Sequence, residues 1–514
     1  MAKIFPFGGK VEVGLTAAVE EEQERSAPAP DAPFRILALG DFSGRKNRGV
    51  LETLGDRRPI FVDRDNADEV LARLGAELLL PVAGKDGIPI PARFRELADF
   101  HPDSIFTRVP AFAGLRQLRE GLSEPSSFEG AAREIQGWGS AKAEVEEEPE
   151  EPKRASGGEN VAQELLAAHR KGPRTSAGLP GSKEWDSYLK RIVEPHLAPR
   201  EDPRQGALTA SVDESTGHWM REVLHSEDFQ RLEAAWRGLD FLLRRLETDS
   251  ALQVFLLDVS KEELAEELRS AEDLRETSLW RLLVEETVET PGGEPWAFFA
   301  GNYTFEPTVE DAALLARLGK IARAAGAPFL AGASPRLLGC ESLAETPDPK
   351  DWKPDEGSGA SEIWEAVRGL PESSYLGLAL PRFLLRLPYG RETDPTETFE
   401  FEERSEDGAH EDYLWGNPVY LCASLLGRAF SEHGWRLRPG AFQEVEGLPL
   451  HVFEEEAERR VKPCAETLLT ERAAERILDS GLMPLLSIRG RDTVRIARFQ
   501  SIRNPPAPLS GRWG

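Results

Sequence analysis

Four arrangements in this 514-residue chain hold residue types that do chemistry at testable spacings. The first is "FRILALGDFSGRKNRG" (Phe34–Gly49), an apolar run that opens into glycines and then basic residues. A phosphate-cradling loop needs G-x-x-x-x-G-K-[ST], so that backbone amides face the phosphates, the lysine reaches them and the hydroxyl holds magnesium. Here only three residues separate Gly40 from Gly44, Arg45 follows the second glycine, and no Ser or Thr follows Lys46. The stretch continues as Asn47-Arg48-Gly49 rather than into a helix whose dipole would face an anion. The glycines therefore read as a structural turn, giving positive φ at little steric cost.

The second arrangement, "VDRDNADE", places Asp63, Asp65, Asn66 and Asp68 close together. A calcium loop starting at Asp63 would need an oxygen ligand at its fifth position and glycine at its sixth, and these are Ala67 and Asp68. The stretch reads instead as a strand end followed by a helix capped by Asn66, with acids near its positive end. Third, the eight histidines include no H-E-x-x-H pair; His218 and His225, seven apart on one expected helix, read as surface or packing residues. Fourth, Cys340, Cys422 and Cys464 are far apart and odd in number, which fits neither a disulfide framework nor a metal site. Cys464, in "VKPCAETLL", has no identifiable base, and no G-x-S-x-G elbow is present. No catalytic, cofactor-binding or metal-ligating set emerges, and the expectation is a protein that is not an enzyme.

Composition narrows the classes further. With 63 Lys and Arg against 90 Asp and Glu, the formal net charge of −27 argues against a nucleic-acid surface. The first residues, "MAKIFPFGGKVEVG", lack the basic start and apolar core of a signal peptide, and no apolar run approaches the roughly 20 residues that span a bilayer. A cytoplasmic protein without membrane insertion is expected.

The elements that must position any site fall into two regions. Residues 1–31 form an arm and an acidic, Pro/Ala-rich tether; 32–123 a small α/β domain; 124–205 an acidic linker around "AEVEEEPEEPKRASGGEN"; and 206–514 a larger domain. In the small domain, Phe34–Leu39 and Arg58–Asp63 read as strands, a helix begins after Asn66, and "GIPIPARFREL" reads as extended. "HPDSIFTRVPAFAGLRQLREGL" reads as a turn followed by helical spacing at Phe112, Leu115, Leu118 and Leu122. The larger domain opens with long amphipathic helices carrying Trp219, Val223, Phe229, Leu232, Trp236, Leu239 and Leu243 at three- and four-residue steps. Strands at "ALQVFLLDVS", "WAFFAGNYTF" and "APFL" then alternate with helices, predicting a mixed α/β layer structure.

Longer signatures run through the larger domain: "HSEDFQRLEAAWRGLDFLL", "LLDVSKEEL", "AGNYTFEP", "YLGLALPRFLLRLPYGRETDPTETFEFEE", "YLWGNPVY", "VEGLPLHVF" and "KPCAETLLTERAAERILDSGLMPL". In this order they resemble the large sheath subunit of the bacterial type VI secretion system over about residues 206–487. "FRILALGDFSGR", "FVDRDNADEVLARL" and "LADFHPDSIFTRVPAFAGLRQLREGL" resemble successive blocks of the small sheath subunit. The chain thus resembles a small subunit fused to a large one, of contractile tail-sheath fold.

That resemblance implies a structural protein polymerising with other sheath subunits around an inner tube protein, on a baseplate, and ejecting the tube by contraction. It implies no cofactor. In this family neighbours interlock through donated strands, and "GKVEVGL", with Lys10, Val11, Glu12, Val13 and Leu15, suits a donated arm or an edge strand of its own domain. The family's contracted sheath is recycled by an AAA+ ATPase that grips a short helix; "NVAQELLAAHRKG", with Val161, Leu165 and Leu166 on one face, is the candidate, or a transient helix without a partner. The family's large subunit continues beyond the block matched by "LLSIRGRDTVRIARF", which leaves open an accessory or terminating paralogue that docks on sheath or baseplate. A linker of about 60 residues reaches about 40 Å as a random coil, enough to cross a domain.

Overall fold

The computed structural model describes residues 28–55, 57–80, 89–143, 202–353, 359–405, 410–455 and 458–513. The N-terminal region contributes β1 (Phe34–Gly40), β2 (Ile60–Val62), α1 (Ala67–Leu74), β3 (Glu77–Leu80), β4 (Ile90–Arg93), α2 (Pro102–Arg108), α3 (Ala113–Ser123) and α4 (Phe128–Ala143). The second region begins with α5 (Gln205–Leu224), α6 (Glu227–Arg245), β5 (Leu252–Asp258), α7 (Lys261–Ser270), β6 (Phe298–Phe305), α8 (Val309–Ala325) and β7 (Phe329–Ala333). It continues through α9 (Gly359–Arg368), β8 (Leu376–Leu380), β9 (Phe383–Arg386), β10 (Leu414–Gly416), α10 (Pro418–His433) and β11 (Glu444–Val445). Its last elements are β12 (Val452–Glu455), β13 (Glu458–Val461), α11 (Glu471–Asp479), β14 (Met483–Ser487) and β15 (Val494–Ile496).

One nine-stranded sheet organises both regions, in the order β11-β15-β14-β8-β7-β6-β1-β5-β2. From β14 through β5 neighbouring strands are parallel; β2 at one end and β15 and β11 at the other are antiparallel. The two regions expected as separate domains share this sheet, because β1 lies between β5 and β6. β1 pairs with β5 along its whole length, from Phe34 opposite Leu252 to Gly40 opposite Asp258, and with β6 from Ile36 to Leu39.

The burial of β1 explains its central place. Phe34, Ile36 and Ala38 enter one core with α6 and α10, while Leu37 and Leu39 enter the other with α7 and α8. A strand covered on both faces reads as a continuous apolar run, which is what "FRILALG" is. Local signals start the helices: Ser260 and Glu263 form a reciprocal cap on α7, and Thr308 accepts the Asp311 N–H at the start of α8.

Three local expectations change. Asn66 stands at the start of α1, but its side chain accepts the Asp63 N–H instead of capping the helix, and the Asp63 carboxylate takes the N–H groups of Asp65 and Asn66. The expected turn at "HPDSIF" is helix α2, with Pro102 in its first turn and His101 Nδ1 accepting the Asp103 N–H; its seven residues are too few to show a period. The acidic linker expected from residue 124 opens with α4, whose Phe128, Ala131 and Ala132 pack on Leu118, Leu122 and Val212.

Candidate assembly interface

The loop after β1 sits at the carboxyl ends of the parallel strands. Counting parallel strands in chain order, β5-β1-β6-β7-β8 reads 2-1-3-4-5, and the crevice between β1 and β6 is where such sheets place ligands. In this chain the Phe42, Arg45 and Lys46 amides of the loop are already taken. The Asp41 carboxylate accepts the Arg45 and Lys46 N–H groups at 2.7 and 2.8 Å. Asp258 accepts the Phe42 N–H at 2.8 Å and the Ser43 hydroxyl at 2.7 Å. Two built-in carboxylates thus fill the anion position that a phosphate would need.

The basic residues of the loop are similarly committed. Arg45 and Arg57 bind Glu263, whose carboxyl burial would raise but whose arginine partners hold at about 2. Lys46 pairs with Glu262. Gly44 adopts φ +75°, and a Cβ there would come within 2.4 Å of the Glu77 carbonyl oxygen, so its glycine serves the turn. Gly40 keeps negative φ and is needed for close approach to Phe42 and Asn302.

The other sequence candidates separate in space. His218 is exposed on α5 beside Glu222, whereas His225 lies past the helix end, half-buried, with Glu403 at 3.8 Å and Asp412 at 3.7 Å. Burial lowers the His225 pKa against the pull of those two carboxylates. Cys464 is buried, its thiol directed at the Pro449 carbonyl and pushed up to about 11 by burial. All three cysteines are buried and unpaired. Lys10, Val11, Glu12, Val13 and Leu15, and Val161, Leu165 and Leu166, lie outside the described residues.

The structure adds a buried ion network that pattern reading did not single out. Arg386, on β9, grips Glu233 of α6 at 2.8 and 3.1 Å and Glu403 at 2.6 and 2.9 Å. Arg237 binds Glu233 at 2.6 Å and the Tyr389 hydroxyl at 2.8 Å, and the Tyr389 N–H donates to Glu403 at 2.7 Å. Burial opposes ionisation of Glu233, yet Arg386 and Arg237 hold its carboxyl below the usual range. The signal was in the sequence: Glu233 interrupts the apolar stripe of α6, and Arg386 interrupts the run "FLLRL".

Around this network the N-terminal region is fastened to the second. Trp236 donates from Nε1 to the Phe42 carbonyl at 2.8 Å, and Asn47 donates to Asp228 at 2.7 Å. The Asp103 carboxylate accepts the Glu397 and Thr398 N–H groups, and Phe106 packs on Phe399.

One element stands apart from both cores. β12 and β13 form a two-stranded antiparallel hairpin, and among the described residues neither pairs with a further strand. Glu454 on β12 faces Arg459 on β13, Phe453 faces Arg460, and β13 is exposed along its length. Isolated two-stranded hairpins are marginal in water, and their outer edges offer unpaired backbone groups to an added strand. Unlike the β3–β4 pair, whose Leu78, Leu80 and Ala92 enter a core, β13 is exposed along its length.

Comparison with known proteins follows the same division of the chain. Residues 207–503 match the family model described as "EvpB/VC_A0108, tail sheath N-terminal domain". Residues 10–132 match the one described as "Type VI secretion system, VipA, VC_A0107 or Hcp2". The chain is 34% identical over 305 residues to the type VI secretion system sheath protein TssC1 of Pseudomonas aeruginosa; the match covers 58% of this chain and 61% of that protein.

Proposed function

Since the chain belongs to the type VI secretion tail-sheath family, with small- and large-subunit regions in one polypeptide, we propose that it polymerises into a contractile sheath. Copies would stack around an inner tube, and passage between two packings would drive the tube out, with the energy stored at assembly rather than drawn from hydrolysis in the sheath. The observation that supports this reading is the β12–β13 hairpin, set outside the main sheet and, among the described residues, paired with no further strand on either side.

A strand donated by a neighbouring copy fits such an edge, and "KVEVGL" (residues 10–15) alternates as a donated strand would. Each chain that gives an arm and receives another makes a contact that repeats without closing, which generates a helix. The inner tube protein, baseplate components and an AAA+ ATPase acting on Val161, Leu165 and Leu166 belong to the same proposal, as does a bacterial cytoplasmic location. No helix among the described residues is long and apolar enough to cross a membrane.

Negative-stain images of the concentrated full-length protein test the reading. Long hollow tubes or short stacked rings are expected. Monodisperse single chains, even with the inner tube protein added, would overturn it.

A further inference from the structure

The hairpin is held to the body at its root, and the root is built from ionisable groups. His451, immediately before β12, is buried, and its Nδ1 meets the Tyr413 hydroxyl at 2.8 Å. Its carbonyl accepts the Lys462 N–H at 2.9 Å, the last rung before the chain leaves β13. The Lys462 ammonium lies 4.7 Å from the centre of the Tyr413 ring and 3.3 Å from His410 Nδ1. His410 Nε2 in turn meets Glu466 at 3.2 Å, which also binds Arg382. From the other side, Arg404 stacks 3.8 Å over Phe453, whose ring lies 5.2 Å from that of His451.

We propose that His451 makes the hairpin root acid-labile: once protonated, it adds a third positive charge beside Arg404 and Lys462, and docking of the hairpin weakens while the main sheet stays folded. The charged groups facing the root divide unevenly. Arg404 and Lys462 both oppose a charge on His451, whereas Glu411, Asp412 and Glu466 offset the charge on Lys462. Burial acts in the same direction as the two cations and lowers the His451 pKa from its ordinary 6.5. The detached state binds the proton that the docked state excludes, so docking weakens as pH falls below that ordinary value.

Detachment itself is a property of the single chain. Its consequence, loss of an acceptor for donated strands in acid, rests on the sheath reading, and the two are tested separately.

Hydrogen exchange, followed by mass spectrometry on the full-length chain and corrected for intrinsic rates, gives the measurement. Between pH 7.5 and 5.5 the peptide covering 452–461 should lose up to about tenfold in protection, the linkage limit for one group of ordinary pKa 6.5. The peptide covering 34–40 should keep its own. His451→Asn, which retains an acceptor for Tyr413 but does not titrate, should flatten the hairpin response, and His451→Phe, which retains only an aromatic ring, should flatten it too. Unchanged hairpin protection in the parent chain, equal loss in both variants, or a parallel loss over 34–40 would each overturn the proposal. The exchange is read on dilute, unassembled chain, because a donated strand would itself protect 452–461; imaging at pH 7.5 decides separately whether the chain forms tubes.

Discussion

Glu403 is the residue on which the buried network turns, because its two oxygens satisfy both Arg386 and the Tyr389 N–H. Glu403→Gln keeps the shape and removes the charge, leaving Arg386 buried with Glu233 as its one carboxylate partner. Breaking a buried pair in this way costs about 3–5 kcal/mol, and the expected readout is a lower denaturant midpoint at an unchanged slope. Trp236→Ala should cost a similar amount, about 3–5 kcal/mol, since the indole is buried on α6 and donates to Phe42 across the two regions. Titration of the parent chain gives a further check. His225 and His451 have lowered folded values, so their stability contribution is complete above the ordinary 6.5 and is lost as pH falls below it. Glu263 and Glu466 are held at about 2, so theirs is complete above the ordinary 4.5 and is lost on the way down to about 2. Denaturant midpoints should therefore fall in two stages, one below pH 6.5 and one below pH 4.5. A flat profile down to pH 4.5 would remove the two histidines from the account.

At the scale of elements, legibility followed burial and length. β1 and β5 were readable because both faces are covered and their apolar runs are continuous; α6 was readable because five turns repeat one stripe. α2 was missed at seven residues, and α4 was missed because the acidic composition downstream masked Phe128, Ala131 and Ala132. The network of Arg386, Glu233 and Glu403 was visible only as two charges interrupting apolar runs, since their partners lie 153 and 17 residues apart in the chain. Of the hairpin only Val452 and Phe453 fell within a quoted motif, and nothing local distinguishes a strand at an edge from one inside a sheet. Its separation from the cores yields a prediction. Replacing residues 452–461 with a short Gly/Ser loop should leave the body folded by circular dichroism and abolish tube formation. Deleting residues 1–15 should have the same outcome if the arm is the donated strand. Tubes formed by the arm deletion would end that role for the arm, and tubes formed by the hairpin replacement would end the acceptor role for β12–β13.

At the scale of the molecule, the placement of β1 decides what the tether between the regions does. Pairing of β1 with β5 and β6 is non-local, joining Phe34 to Leu252 and Ile36 to Phe298, and no local pattern encodes it. Once formed, it sets the centre of the sheet, and both cores need it: removing β1 would take Phe34, Ile36 and Ala38 from one and Leu37 and Leu39 from the other. The covalent link then raises the effective concentration at which the regions meet, without being what holds them afterwards. A protease site placed between residues 144 and 201 separates these contributions. Cleavage of the folded protein should leave both fragments co-eluting on size exclusion at neutral pH, with separation only in denaturant. Refolding of the cleaved pair should become concentration-dependent, whereas the intact chain should refold at a rate independent of concentration. If the fragments part under native conditions, the shared sheet is not the main bond between the regions and the tether is; if they remain together, β1 acts as a structural strand of the second region's own fold.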